Sequence, residues 1–113
     1  MSDCLFCKIA NKQIPANLVY EDADTLAFHD LNPQAPVHVL VIPKAHHADV
    51  AACVAADPTL AARVLATSCA VAVQLGVGSG FRLVTNNGVA AGQSVFHWHV
   101  HVLGGRPFTW PPG

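Results

Sequence analysis

The chain reads as an α+β protein built on a mostly antiparallel sheet. Three features predict this. Short apolar runs alternate with clusters of Pro, Gly, Asn and Asp; one long stretch rich in alanine and valine lies between Asp57 and Gly76; and the run from Gly92 to Leu103 repeats with period two. At 113 residues the chain suits one domain, 1–113, with a single core.

The elements follow in order. Asp3 is placed to cap a short helix from Cys4 to about Asn11, with Leu5, Phe6 and Ile9 on one side and Pro15 beyond its end. Leu18-Val19-Tyr20 and Thr25-Leu26-Ala27-Phe28 flank Glu21 to Asp24, which predicts a hairpin. Asp30 to Pro36 holds too many prolines for a regular element and is a shaped loop. Val37 to Ile42, closed by Pro43, is a buried strand carrying His38 on one face. Asp57-Pro58 is an N-cap followed by proline at the first helical position, opening the one long helix, which runs to Leu75 and stops at Gly76 in a left-handed cap. Val77-Gly78-Ser79-Gly80 is a turn, since no strand precedes it and no helix follows it as a dinucleotide loop requires. Phe81 to Thr85 is a strand, Asn86-Asn87-Gly88 a turn, and the histidine-bearing strand comes last, before Gly104-Gly105 and a proline-containing tail.

Composition narrows the function. Charged residues make up 12% of the chain, against about 25% in an ordinary soluble protein, and apolar residues 52%. So little charge on so small a chain leaves apolar surface for a partner, most simply a second copy, so a homodimer is expected. A net charge of -1 provides no basic field for a nucleic-acid backbone or an anionic membrane. Met1-Ser2-Asp3-Cys4 lacks the basic start and apolar core of a secretion signal, and no apolar stretch reaches the roughly 18 residues that span a bilayer. The expected location is the cytoplasm, with Cys4, Cys7, Cys53 and Cys69 reduced. Cys53 and Cys69 have no ligand-spaced partners and read as buried small apolar residues, while His29 and His47 read as surface or packing histidines.

Chemistry concentrates in Phe96-His97-Trp98-His99-Val100-His101-Val102-Leu103. On a strand, His97, His99 and His101 emerge on one face roughly 7 Å apart, and Trp98, Val100 and Val102 on the other. A solvent-exposed polar face has no reason to repeat histidine. Three imidazoles can hold a catalytic zinc, but the outer two lie roughly 13 Å apart along a strand, so a pair from one strand is a better ligand set than all three. A nucleophilic reading instead puts one neutral imidazole in line with an electrophile, with its neighbours as donors. Phosphorus fits, because a nucleotidylated histidine is hydrolysable and divides one substitution into two. Gly92-Gln93-Ser94 can supply a hydroxyl and backbone N–H groups to phosphate oxygens.

The run His97-Trp98-His99-Val100-His101-Val102-Leu103 resembles the histidine triad pattern, His-φ-His-φ-His-φ-φ with φ apolar, and the chain is similar to the Hint branch of that superfamily nearly end to end. The similarity runs through Phe28-His29-Asp30, Pro33-Gln34-Ala35-Pro36, Leu40-Val41-Ile42-Pro43-Lys44, Gly92-Gln93-Ser94 and Trp110-Pro111-Pro112-Gly113. The resemblance implies the HIT fold, a five-stranded sheet continued across a homodimer. It implies a hydrolase that cleaves the P–N bond of purine nucleoside 5'-phosphoramidates through a nucleotidyl-histidine, with no metal in the chemistry. By position His99 is the nucleophile. His101 and Ser94 face phosphate oxygens or the leaving group, Asn86 and Gln93 complete the phosphate side, and His38 joins the imidazole network. Asp30 would accept from the ribose hydroxyls, with Leu5, Phe6, Ile9, Phe28 and Leu31 around the base. The alternative function is a nucleotide-binding interaction protein with vestigial hydrolysis, and a weaker one a zinc hydrolase.

Two departures stand out. Trp98 is bulkier than the usual aliphatic residue between the first two histidines; it points away from the site and is expected to affect packing only. The loop Asn87 to Ala91 differs from the commoner acidic version. Cys4-x-x-Cys7 lacks the preceding strand of a redox motif. The resemblance supplies His46 and His97 as two further ligands, so the four could hold a structural zinc; two unbridged cysteines packing the first helix are the alternative.

Overall fold

A computed structural model describes residues 3–113; Met1 and Ser2, half of the segment read as lacking a secretion signal, lie outside the described residues. The elements are α1 (Leu5–Ala10), β1 (Leu18–Glu21), β2 (Thr25–His29), β3 (Val37–Pro43), α2 (Val50–Ala56), α3 (Pro58–Gln74), β4 (Phe81–Val84), a 3-10 turn (Val89–Ala91) and β5 (Val100–Gly104). The five strands form one sheet in the order β1-β2-β3-β5-β4, and every neighbouring pair is antiparallel.

Alternation divides the core into two layers. Ala27, Val39, Val41, Val100 and Val102 face α3, where Leu60, Ala61, Val64, Val71 and Ala72 complete the larger cluster with Trp98 and Cys53. Leu26, Phe28, Leu40 and Ile42 point the opposite way and pack against Phe6 and Ile9 of α1. Because β3 and β5 are adjacent, with His38 opposite Leu103 and Leu40 opposite His101, strand pairing carries His38 and His101 together onto the α1 face. The hairpin turn is tied by Asp22, whose Oδ1 accepts from the N–H of Asp24 and of Thr25 and from the Thr25 hydroxyl. The same hydroxyl meets Thr67 Oγ1 at 2.9 Å, fastening the hairpin to α3.

Several sequence expectations are corrected. The cap of α1 is Cys4, not Asp3: Cys4 Sγ accepts from the Cys7 N–H at 3.3 Å. A second helix, α2, precedes the long one. Asp49 caps it through Ala52 N–H, and Asp57 both ends it and caps α3 through Leu60 N–H. Its sequence Val-Ala-Ala-Cys-Val-Ala-Ala has no polar face, so no amphipathic period marks it. The long helix ends as expected, with Gly76 at φ 81°. Strand β4 stops one residue early, at Val84. Regular pairing in β5 begins only at Val100, so His97 lies in a bend and His99 in irregular chain before the strand. Cys69 is exposed on α3, while Cys53 is buried as expected. Among the described residues no helix is long and apolar enough to cross a membrane.

Candidate active site and metal centre

Each buried imidazole owes its proton position to a main-chain group. A carbonyl oxygen can only accept, so a ring nitrogen bonded to one must carry the hydrogen. His99 Nδ1 lies 2.8 Å from His97 O, so Nδ1–H donates there, and in the neutral ring the lone pair falls on Nε2. On His38 the order is reversed: Nδ1 accepts from the Gln34 backbone N–H at 3.0 Å, which leaves the proton on Nε2. That proton is donated to His101 Nδ1 at 2.9 Å, so His101 in turn carries its own hydrogen on Nε2. The site therefore sets a free lone pair on His99 beside an N–H donor on His101, with ring centroids 5.1 Å apart.

Burial favours the neutral form of His101 and His38. It is the main cause that lowers His101 from 6.5 to about 4, with His99 and His38 adding repulsion and Asp30 opposing. Burial lowers His38 as well, again against the pull of Asp30, whose Oδ2 lies 3.5 Å from His38 Nε2.

An apolar cleft of about 260 Å³ opens on the α1 face, lined among others by Leu5, Phe6, Ile9, Phe28, Asp30 and Leu31. All six residues expected around a nucleoside thus share one cavity, although Leu31 is wholly exposed at the rim. Phe6 joins cleft to site, its edge meeting Phe28 at 5.4 Å and His99 at 5.2 Å. Asp30 also bends its own loop, Oδ1 accepting from Asn32 N–H at 2.8 Å. A larger cleft of about 380 Å³ lies among Asp24, Lys44, Thr59 and Arg63, away from every histidine.

Within Gly92-Gln93-Ser94 the side chains have different surroundings. Gln93 is buried and its amide is engaged by the fold: Oε1 accepts from Gly88 N–H, and Nε2 donates to Ala48 O and Val95 O. It braces the loop rather than presenting a free donor. Ser94 is exposed and lines a separate recess with Asp3, Cys4 and Phe96. Asn86 is half-buried near Gly92.

His97 belongs to a second cluster. Its Nε2–H donates to Pro43 O at 2.8 Å, which turns the Nδ1 lone pair toward Cys4 Sγ at 3.3 Å and Cys7 Sγ at 3.5 Å. His46 Nδ1 lies 3.3 Å from Cys7 Sγ, and the four ligand atoms lie within 4.8 Å of one another. A tetrahedral zinc, with bonds of about 2.3 Å to sulfur and about 2.0–2.1 Å to nitrogen, separates such ligands by about 3.5 Å. The donor set and spacing fit a metal ion, and the Pro43 carbonyl orients a ligating imidazole in the manner of an outer-shell partner. Burial, reinforced by Cys4, pushes the Cys7 thiol up to about 11, so metal binding must displace a proton from it.

A histidine-centred cluster lies beside an apolar cleft on this sheet. The HIT domain family model matches residues 11–108. An uncharacterized HIT-like protein of Synechocystis sp. is 54% identical over 111 residues, covering 98% of this chain and 97% of its own. A 14 kDa zinc-binding protein of Brassica juncea is 46% identical over 98% of this chain and 100% of its own. Among solved structures, a HIT family hydrolase from Legionella pneumophila superposes with a TM-score of 0.94 at 48% identity, covering 98% of this chain and 100% of the other. The chain belongs to the HIT family.

A pH dependence follows from the buried rings. His97 and His101 titrate at about 4 when folded, both chiefly through burial, and near 6.5 when unfolded. Between those values the unfolded chain binds more protons, so stability is full above about pH 6.5 and is lost as pH falls toward 4. Thermal melts in chelator should show Tm falling across that window, with a shallower fall for His101→Gln. Equal slopes for the two proteins would contradict it.

Proposed function

We propose that the protein hydrolyses the P–N bond of purine nucleoside 5'-phosphoramidates, of the adenosine 5'-monophosphoramidase type, through a covalent nucleotidyl-histidine. The observation that carries this reading is the tautomer of His99: Nδ1–H is given to His97 O, so Nε2 is an unprotonated nucleophile beside the cleft. The base enters between Phe6, Ile9, Leu5, Phe28 and Leu31, and Asp30 accepts from the ribose hydroxyls. His99 Nε2 bonds to the α-phosphorus as the P–N bond breaks, and the departing amine takes a proton from solvent, which the water of the second step later restores. His101 Nε2–H donates to the phosphate oxygens, a role that requires the proton placement imposed by His38 and Gln34. Ser94 and Asn86 complete the phosphate side, while Gln93 acts by holding their loop. Water then attacks phosphorus, the P–Nε2 bond breaks, and AMP and neutral His99 are released.

Turnover of a fluorogenic adenosine 5'-phosphoramidate, measured with chelator present, should fall at least about a hundredfold in His99→Ala. A parent that binds AMP without turnover would instead make the protein a nucleotide-binding interaction module. Chelator that abolishes parent turnover would favour a zinc hydrolase.

The Cys4, Cys7, His46 and His97 cluster is proposed as a structural zinc site, a cofactor outside the chemistry. Two of its ligands sit on α1, the helix that also carries Leu5, Phe6 and Ile9 to the cleft. A bound zinc would supply a cross-link between that helix and the loops bearing His46 and His97. Protein purified without chelator should carry about one zinc, and a Cys4→Ser, Cys7→Ser variant almost none. Less than about half an equivalent in the parent would refute the site.

The homodimer is proposed to form through the free edge of β4. The other edge, β1, is disrupted by a register shift between Leu18 and Tyr20, and Val19 O is taken by Gln74 Nε2. Strand β4 pairs in unbroken register with β5, leaving its outer edge open to a second copy that would continue the sheet. Sedimentation equilibrium at micromolar protein should give twice the 11.9 kDa chain mass, and a monomer would exclude the arrangement.

A further inference from the structure

Strand pairing stops just short of His99. The β3–β5 register ends with Val41 opposite Val100, and the β4–β5 register with Val84 opposite His101. His99 itself has no partner in the ladder, which begins at the next residue. Its carbonyl is held instead by Thr85, the first residue after β4, whose hydroxyl donates to His99 O at 2.7 Å. Trp98 Nε1–H donates into the same hydroxyl oxygen at 2.9 Å. Trp98 is 1% exposed, packed in the cluster against α3, so its indole N–H depends on this one acceptor. An N–H arriving at Oγ1 leaves the hydroxyl proton directed at the carbonyl, so the two bonds reinforce each other. The Trp98 backbone N–H adds an anchor on the same segment, bonding His47 O at 2.7 Å.

We propose that Thr85 and Trp98 are positioning residues for His99: the chain from indole N–H through hydroxyl to carbonyl holds the main chain that aims Nε2 at phosphorus. The proposal rests on the reading of His99 as nucleophile. Trp98 is thus more than packing. From the opposite face of the segment it braces a residue that has no partner in the ladder. The His99 ring is bonded to His97 O, two residues back, so a shift of the intervening peptide moves ring and lone pair together. Displacement of about 1 Å in such an arrangement costs up to roughly a hundredfold in rate. Neither residue lines the base cleft, so nucleotide binding should be spared.

Steady-state kinetics on the adenosine 5'-phosphoramidate separate the cases. Thr85→Val keeps the side-chain shape without the hydroxyl, and its kcat should fall at least about tenfold with KM within about twofold of the parent. Thr85→Ser restores the hydroxyl and should recover kcat to within about twofold; Trp98→Phe, which loses only the N–H, should fall between. Unchanged kcat in Thr85→Val, a loss confined to KM, or a Ser variant as slow as the Val variant would overturn the proposal. Should Thr85→Val not fold, Trp98→Phe with parental kcat would do the same. A parent without turnover refutes the nucleophile assignment instead, and hydrogen exchange of the His99 Nδ1–H by NMR then decides. Faster exchange in Thr85→Val than in the parent supports the positioning role, and equal rates refute it.

Discussion

The main chain decides where each imidazole keeps its proton, and the rest of the site depends on that. Pro43 O, His97 O and the Gln34 N–H are fixed groups at the end of a strand, in a bend and in a loop. Each leaves its ring one defined free position: Nδ1 of His97 toward the thiols, Nε2 of His99 beside the cleft, and, through His38, an N–H on His101. Neutral imidazole has two tautomers of similar energy in water, and a single main-chain hydrogen bond suffices to select between them. Burial then suppresses protonation, lowering His97 and His101 to about 4.

The fold serves this arrangement by assigning its two sheet faces to different tasks. The α3 face is a conventional apolar core, with Val39, Val41, Val100 and Val102 against Leu60, Val64 and Val71. The opposite face is covered by the six-residue α1 with Ile14, Ala16 and Val95 beside it, which leaves room for a cleft and for the imidazoles. Helix α1 has two roles. Cys4 and Cys7 reach toward His97 and His46, while Phe6 touches both His97 and His99, at 6.0 and 5.2 Å. Metal centre and cleft are therefore mechanically adjacent, with one short helix carrying any disturbance between them.

Much of this was legible in the residues. Alternation through Val37–Ile42 and His97–Val102 places His38, His99 and His101 on one face and Trp98 on the other, and the structure keeps that division even where regular pairing stops. Helix α2 was not legible, because Val50–Ala56 has no polar face and only Asp49 marks its start. The resemblance put Gln93 on the phosphate side; in the folded loop its side-chain amide bonds Gly88, Ala48 and Val95, partners that only the tertiary structure reveals. Cys69 looked buried on composition, yet it lies on the outer face of α3, a side that an alanine-rich helix does not distinguish by polarity.

By itself the sequence determined the α+β class, the strand faces, the long capped helix and the list of residues able to do chemistry, because period, caps and side-chain type are local properties. Tertiary structure alone decided which nitrogen of His97, His38 and His101 is turned to each partner, and that Thr85 and Trp98 brace the chain at His99. Those outcomes depend on hydrogen bonds between groups up to 93 positions apart, Cys4 and His97 among them. No local pattern encodes such a distance; only the packed sheet brings those atoms within reach.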